Sequence, residues 1–362
     1  MKPLYRLYAA SLHSALLCLL TLPLAVATDA HDKVAPLLAF LAAGHAVRGL
    51  LVSLADARMT PNPKDRLVAL WMAAGSAVAA LGLILGGLPG CGPDPLRLWA
   101  AGNALAPTLQ HLRSGGAWPV AGAELQPRGG SSNSAAFVAL IIPIALLAGL
   151  CSGIVVQPAC RWAKAYWLAI SPPSGVASIT TPHALHLAFM RLSFILTLAA
   201  AMTPVFAAQA FWSGNAIAKA AAAHHDALLS GLLLSAGTVH LMTLRGSTQT
   251  WLDAALVAWH QLRHVTGVDA SLTVIVMRQK FERAIDGVCY AALLHTAVGE
   301  LLLAPGALML SMRLADGARN VVPLEVYIRG TAFLGAWTAA VCTMAASMQL
   351  LALRNGLVVA SA

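Results

Sequence analysis

An all-α, polytopic membrane bundle of about eight transmembrane helices is the fold this sequence predicts, and three observations predict it. Hydrophobic residues make up 59% of the 362-residue chain and charged residues only 10%. Soluble domains carry about 25% charged residues, so this much apolar surface cannot be hidden inside one aqueous core. The apolar residues also fall into windows of roughly 20, the length a helix needs to cross a hydrocarbon layer about 30 Å thick. Between the windows stands turn chemistry, in "MTPNPKD", "GGLPGCGPDP", "SPPSG" and "ADGARN", where Pro and Gly stop helices. The alternating pattern of a barrel is missing, so each span must satisfy its backbone hydrogen bonds within a helix. With no internal repeat or low-complexity tract, residues 1–362 read as a single membrane domain.

The windows lie at 8–28, 34–56, 67–88, 135–157, 184–212, 226–245, 284–312 and 328–352. The first follows Lys2 and Arg6 and ends near the small-residue triplet Ala25-Val26-Ala27. That arrangement also fits a cleaved secretory signal, whose loss would leave seven spans in the same orientation. The reading taken here is a retained first span. Orientation follows from the excess of Lys and Arg on cytoplasmic loops. One face receives Lys2, Arg6, Arg58, Lys64, Arg66, Arg161, Lys164, Arg245, Arg263, Arg278, Lys280, Arg283 and Arg354, and the other only Lys33, Arg97, Arg113, Arg128, Lys219, Arg313 and Arg319. The richer face is cytoplasmic and holds both termini. The net charge of +9 then points to anionic lipid, with no basic folded domain to grip nucleic acid.

Residues 246–283 predict a cytoplasmic helical hairpin between the sixth and seventh spans. In "RGSTQTWLDAALVAWHQLRH", Trp251, Leu252, Ala255, Leu256, Trp259 and Leu262 recur at helical steps. "DASLTVIVMRQKFERAI" follows after the turn "TGVD", with Asp269 or Ser271 placed to cap it. Such a pair either packs on itself and the headgroups or presents a docking surface to another protein. After the fourth span, "QPACRWAKAYWLAI" sets Trp162, Tyr166 and Trp167 among basic residues, as in a headgroup zone. On the opposite face, the loop 89–134 is expected to hold an amphipathic helix starting near Asp94.

These stretches carry a resemblance. "QPACRWAKAYWL" resembles the transmembrane protein 161 family through Pro158 and Arg161. "VHLMTLRGSTQTWLDAA" is similar to that family's basic-aromatic stretch through Arg245, Gln249, Trp251 and Leu252. "VYIRGTAFLGAW" resembles its final span through Arg329, Gly330, Phe333, Leu334 and Trp337. The order and spacing of spans agree across most of the chain. One further N-terminal span and a charged insert of the family are missing here. The resemblance implies the fold, a permanent helix at 8–28 and no catalytic activity. It further implies a role in excitability, ion-current balance or ciliary and developmental signalling, in a plasma, ciliary or endomembrane location. An organelle inner membrane is the alternative.

Ionisable residues at membrane depth cost about 2.5–3.5 kcal/mol each on insertion scales, so they mark function or pairing. Glu300 leads, in "CYAALLHTAVGELLLAPGALM". His295 lies five residues before it and faces another way. Arg191, His240, His45 and Arg48 are the partners available across the bundle. A Glu–Arg or Glu–His tie is the structural reading; a proton or ion pathway through Glu300 is the functional one. Arg48 and Arg191 can also snorkel to the cytoplasmic edge.

Metal-like spacings occur at His260/His264 with Asp253, at His183/His186 and at His224-His225-Asp226. None forms a convergent set of about four ligands, so no metal or other cofactor is expected. The six cysteines contain no C-x-x-C. Ser152 in "GLCSG" lacks a nucleophile motif, and Gly149 with Gly153 reads as a helix contact. The expectation is a non-enzymatic scaffold or accessory subunit of a membrane complex. Arg245, where the sixth span leaves the bilayer, is either an interfacial anchor or a clamp on the start of the final span near Glu325 or Arg329.

Overall fold

The computed structural model describes residues 31–59, 63–86, 132–171, 184–213, 224–253, 270–314 and 322–357, with residues 9, 10, 12, 13, 15–17, 19 and 20. The described residues form helices and the turns between them: α1 His31–Met59, α2 Pro63–Gly86, α3 Ser132–Ile170, α4 Ala184–Ser213, α5 His225–Met242, α6 Ala270–Leu314 and α7 Val322–Arg354. The described residues between 9 and 20 are also helical, as are 244–253 beyond a turn at Thr243. Among the described residues, six helices are long and apolar enough to cross a membrane, and Val34–Gly49 is a shorter apolar helix. The chain is a multi-pass helical membrane protein. The triplet Ala25-Val26-Ala27, the amphipathic helix expected near Asp94, the loop up to residue 131 and the hairpin tip 254–269 lie outside the described residues.

α6 is the axis. It packs against α1, α5, α7 and α3, while α4 packs on α5 and α7, and α2 lies outermost against α3. The central core joins Val155, Leu229, Leu233, Val298, Leu302 and Ala336, all buried. A second cluster seats Ala15 of the first segment on Leu38 of α1 and Leu303 and Ala307 of α6. Phe40, Trp71, Val78 and Phe206 point outward, as helices surrounded by lipid require.

Small residues set the closest crossings. A Cβ built on Gly237 would stand 2.7 Å from the carbonyl oxygen of Gly299, so only glycine lets α5 and α6 meet there. The expected Gly149/Gly153 contact is present: α2 lays Ala73 and Ala77 against it. Ser152 is buried and donates to Ala148 O at 2.8 Å, while Trp337 Nε1 donates to Ser152 Oγ at 2.9 Å. The hydroxyl ties α3 to α7. Pro143 and Pro158 lie inside α3, and Pro305 inside α6; neighbouring helices shield the freed backbone groups.

Two helices outrun the membrane. α6 has 45 residues and spans about 68 Å at 1.5 Å per residue, more than twice the hydrocarbon thickness. The seventh window and the helix expected before it are thus one continuous rod. α3 has 39 residues and absorbs the extension after the fourth window in the same way. One expectation is corrected here. Trp162 does not sit among headgroups but is 5% exposed, stacked between Tyr166 and Phe194 at centroid distances of 5.8 and 5.9 Å. Trp251 joins the same cluster. The rings fill the gap where α3, α4 and α7 converge, and burial there outweighs their interfacial preference.

Candidate functional site

The polar residues named from the sequence separate into distinct places along the bundle. Glu300 is 0% exposed on α6. His45 and Arg48 stand three apart on α1 and so share a face toward it. Arg48 Nη1 lies 3.3 Å from Glu300 Oε1, and His45 Nδ1 lies 3.9 Å from the same oxygen. Gly49 makes room for the approach, since a Cβ there would meet Leu301 Cγ at 3.2 Å. A carboxylate this deep is costly unless paired, and Arg48 supplies the pair while its own side chain remains 31% exposed. Arg191 is not part of this group. It is exposed on α4 and donates from Nε to Tyr166 Oη at 3.3 Å.

His240 and His295 form a second site toward the cytoplasmic end assigned by charge. Their rings stack with centroids 4.0 Å apart and planes 17° from parallel. Both are buried, at 4% and 1% exposure. Ser193 Oγ lies 3.3 Å from His240 Nδ1. His295 Nε2 lies 3.0 Å from both the His240 carbonyl oxygen and Thr243 Oγ1. Trp251 meets the His295 ring edge-on at 6.0 Å. His186 packs from α4 against Gly246, where its ring fills the space a Cβ would need. His295 therefore works with His240 rather than with Glu300.

The third site was not assembled from the sequence. Asp226, 5% exposed at the start of α5, accepts Arg313 Nη2 at 2.7 Å and Arg329 Nη1 at 2.9 Å on its two oxygens. His225 Nδ1 adds a contact at 3.0 Å. One carboxylate thus ties the beginning of α5, the end of α6 and the beginning of α7. The signal was available: Asp226, Arg313 and Arg329 all lie at span ends on one face under the predicted topology. Asp226 read instead as part of a His-His-Asp spacing, and Arg313 as a loop charge.

This placement corrects the clamp expected of Arg245. Arg329 belongs to the Asp226 end, about 28 Å along the helix axis from Arg245. Arg245 is exposed where the chain leaves α5. Gln249 donates to Asp253 Oδ1 at 2.8 Å one turn on, which stiffens the same segment. Among the other residues that carry the resemblance, Pro158 is buried within α3, Arg161 half-buried, and Gly330 buried against Ile144.

Among the described residues no group of three or more His, Cys, Asp or Glu is placed to hold a metal ion. His183, His260 and His264 lie outside the described residues. No family model, curated protein or solved structure matches the chain.

Proposed function

We propose that this chain is a non-enzymatic scaffold or accessory subunit of a membrane complex, acting through the helical hairpin at 246–283. The observation that carries the reading is the length of α6: 45 residues, more than twice the roughly 20 that a hydrocarbon core needs. The surplus of about 25 residues reaches roughly 37 Å further, too far to be required for crossing a bilayer. A rod held on the bundle axis is suited to present a surface to another protein. The full proposal has eight spans, both termini in the cytoplasm, and a partner drawn from the membrane or the cytoplasm. The resemblance to the transmembrane protein 161 family gives its direction: modulation of ion currents, or ciliary and developmental signalling, in a plasma, ciliary or endomembrane setting. Purification of the tagged full chain in mild detergent is expected to recover a stoichiometric partner. A clean monomer under those conditions, with no partner after cross-linking in the native membrane, counts against it.

The second reading is an ion or proton translocator, and one observation favours it: Glu300 sits inside the bundle with Arg48 and His45 around one oxygen. The same geometry weakens it, because a carboxylate held by a guanidinium is a tie before it is a carrier. Proteoliposome flux that disappears in Glu300→Gln would favour translocation; flux absent in the wild type would remove it.

A further inference from the structure

The stacked histidines carry an inference that goes beyond the scaffold reading and does not depend on it. The hydrogen bonds fix a tautomer. His295 Nε2 lies 3.0 Å from the His240 carbonyl oxygen, which can only accept, so Nε2 carries the hydrogen and donates. Thr243 Oγ1 donates to that same carbonyl at 2.7 Å. His295 Nδ1 is therefore a bare lone pair, and among the described residues no hydrogen-bond donor reaches it. His240 Nε2 has no partner there either. Two ligands could use such nitrogens, a metal ion or a proton. The stack decides between them. Each lone pair lies in its own ring plane, and near-parallel planes about 4 Å apart cannot converge on one metal at the ~2.0–2.1 Å that Zn–N bonds need. A proton needs only one nitrogen.

The site also sits at a joint. α5 ends at Met242, and Thr243 N points at both the Val239 and His240 oxygens at 3.2 Å. The end carbonyls of a helix need donors from elsewhere. His295 and Thr243 side chains supply them to His240, and the chain then turns into 244–253, the base of the hairpin. Trp251 of that segment rests its edge against His295. One imidazole thus holds both the end of α5 and the segment that leaves it.

We propose that the His240–His295 stack is a proton-operated hinge: a proton taken up at His295 Nδ1 releases residues 244–253 from the bundle. The step is a proton transfer from hydronium: an N–H bond forms at His295 Nδ1 as one hydronium O–H bond breaks, leaving water. It places a cation in a buried stack that no carboxylate touches among the described residues, and a buried charge without a counterion is costly. The surroundings are accounted for. Glu300 on the same helix faces Arg48 and His45 of α1. α4 brings His186, α5 brings His240, and the segment beyond it brings exposed Arg245 and Asp253, the latter held by Gln249. α3 and α7 bring Lys164 and the thiols of Cys160 and Cys342 at this end. Swinging the ring outward relieves the cation at the cost of its bond to His240 and its contact with Trp251.

The test is amide hydrogen exchange on the full chain in lipid nanodiscs, corrected for intrinsic pH dependence, from about pH 8 to about pH 5, where imidazoles titrate. Opening of 244–253 is expected to rise about tenfold as pH falls, the factor that goes with one unit of difference in proton affinity between the two arrangements. His295→Gln keeps an N–H to donate to the His240 carbonyl but takes up no proton, so its protection should stay high at both ends of the range. His240→Phe keeps a flat ring in the stack and the same carbonyl, so the response should persist. Unchanged exchange in the wild type overturns the proposal. So does a full response in His295→Gln or its loss in His240→Phe, and the second variant decides the matter if the first does not fold.

Discussion

Removing the carboxylate of Asp226 should unfasten three helices at once. Asp226→Ala leaves Arg313 and Arg329 facing each other without the anion that bridges them at 2.7 and 2.9 Å. Breaking a buried ion pair by deleting one partner costs about 3–5 kcal/mol, because the remaining charge stays desolvated. Here the two guanidiniums are 34% and 17% exposed, against 6% for the aspartate side chain, so solvent screens part of the loss. The lower end, about 3 kcal/mol, is the expected destabilisation. Asp226→Asn should fall between the variant and the wild type, since an amide oxygen still accepts one hydrogen bond. The assay is reversible unfolding in bicelles, with Arg313→Ala and the double variant completing a thermodynamic cycle. A coupling above ~0.5 kcal/mol between positions 226 and 313 is required for residues in direct contact. Additive losses, or an Asp226→Ala variant within about 0.5 kcal/mol of the wild type, as at an ordinary surface site, would refute the tie.

Other expectations follow the same geometry. Gly237→Ala should destabilise by about 1–3 kcal/mol, because its Cβ would press on the Gly299 carbonyl at the α5–α6 crossing; thermal unfolding in detergent reads this. Ser152→Ala should cost about 1 kcal/mol through the stranded Trp337 indole N–H, and Ser152→Thr should restore most of it. Arg48→Ala should be worse than Glu300→Gln in the same unfolding assay. The first takes the Arg48 guanidinium from a fully buried Glu300, whereas the second leaves an arginine that is 31% exposed and able to reach the membrane edge. Reporter tags at the C-terminus and within residues 114–134 should read opposite sides of the membrane; agreement between them would overturn the orientation.

What could be read from the sequence was the fold, because hydrophobic period and length are local properties. Windows at 67–88, 135–157, 184–212, 226–245, 284–312 and 328–352 each contain or overlap a helix long and apolar enough to cross a membrane. Glu300 was legible as a charge at membrane depth that must find a partner, and Arg48 and His45 were among those named for it, beside Arg191 and His240, which lie elsewhere. The pairings that needed helix rotation were not. His295 and Glu300 lie on one helix yet face different neighbours, and only the α5–α6 crossing at Gly237 and Gly299 decides that His240 meets His295. The Asp226 tie joins residues 87 and 103 positions apart, and the adjacent histidines drew attention to metal spacing instead. Trp162 was read as interfacial because basic residues surround it in sequence. In space the Trp162 indole packs inward, while Arg161 and Lys164 beside it are half-buried.

The claim that the hairpin contacts a partner is tested most directly by site-specific photo-cross-linking in native membranes. A photoreactive side chain at Gln279, exposed on the projecting part of α6, is compared with one at Phe40, exposed on the lipid-facing side of α1. The account predicts one discrete protein adduct, near stoichiometric, from position 279 and lipid adducts from position 40. Lipid adducts alone at both positions, with the chain recovered as a monomer, would contradict it.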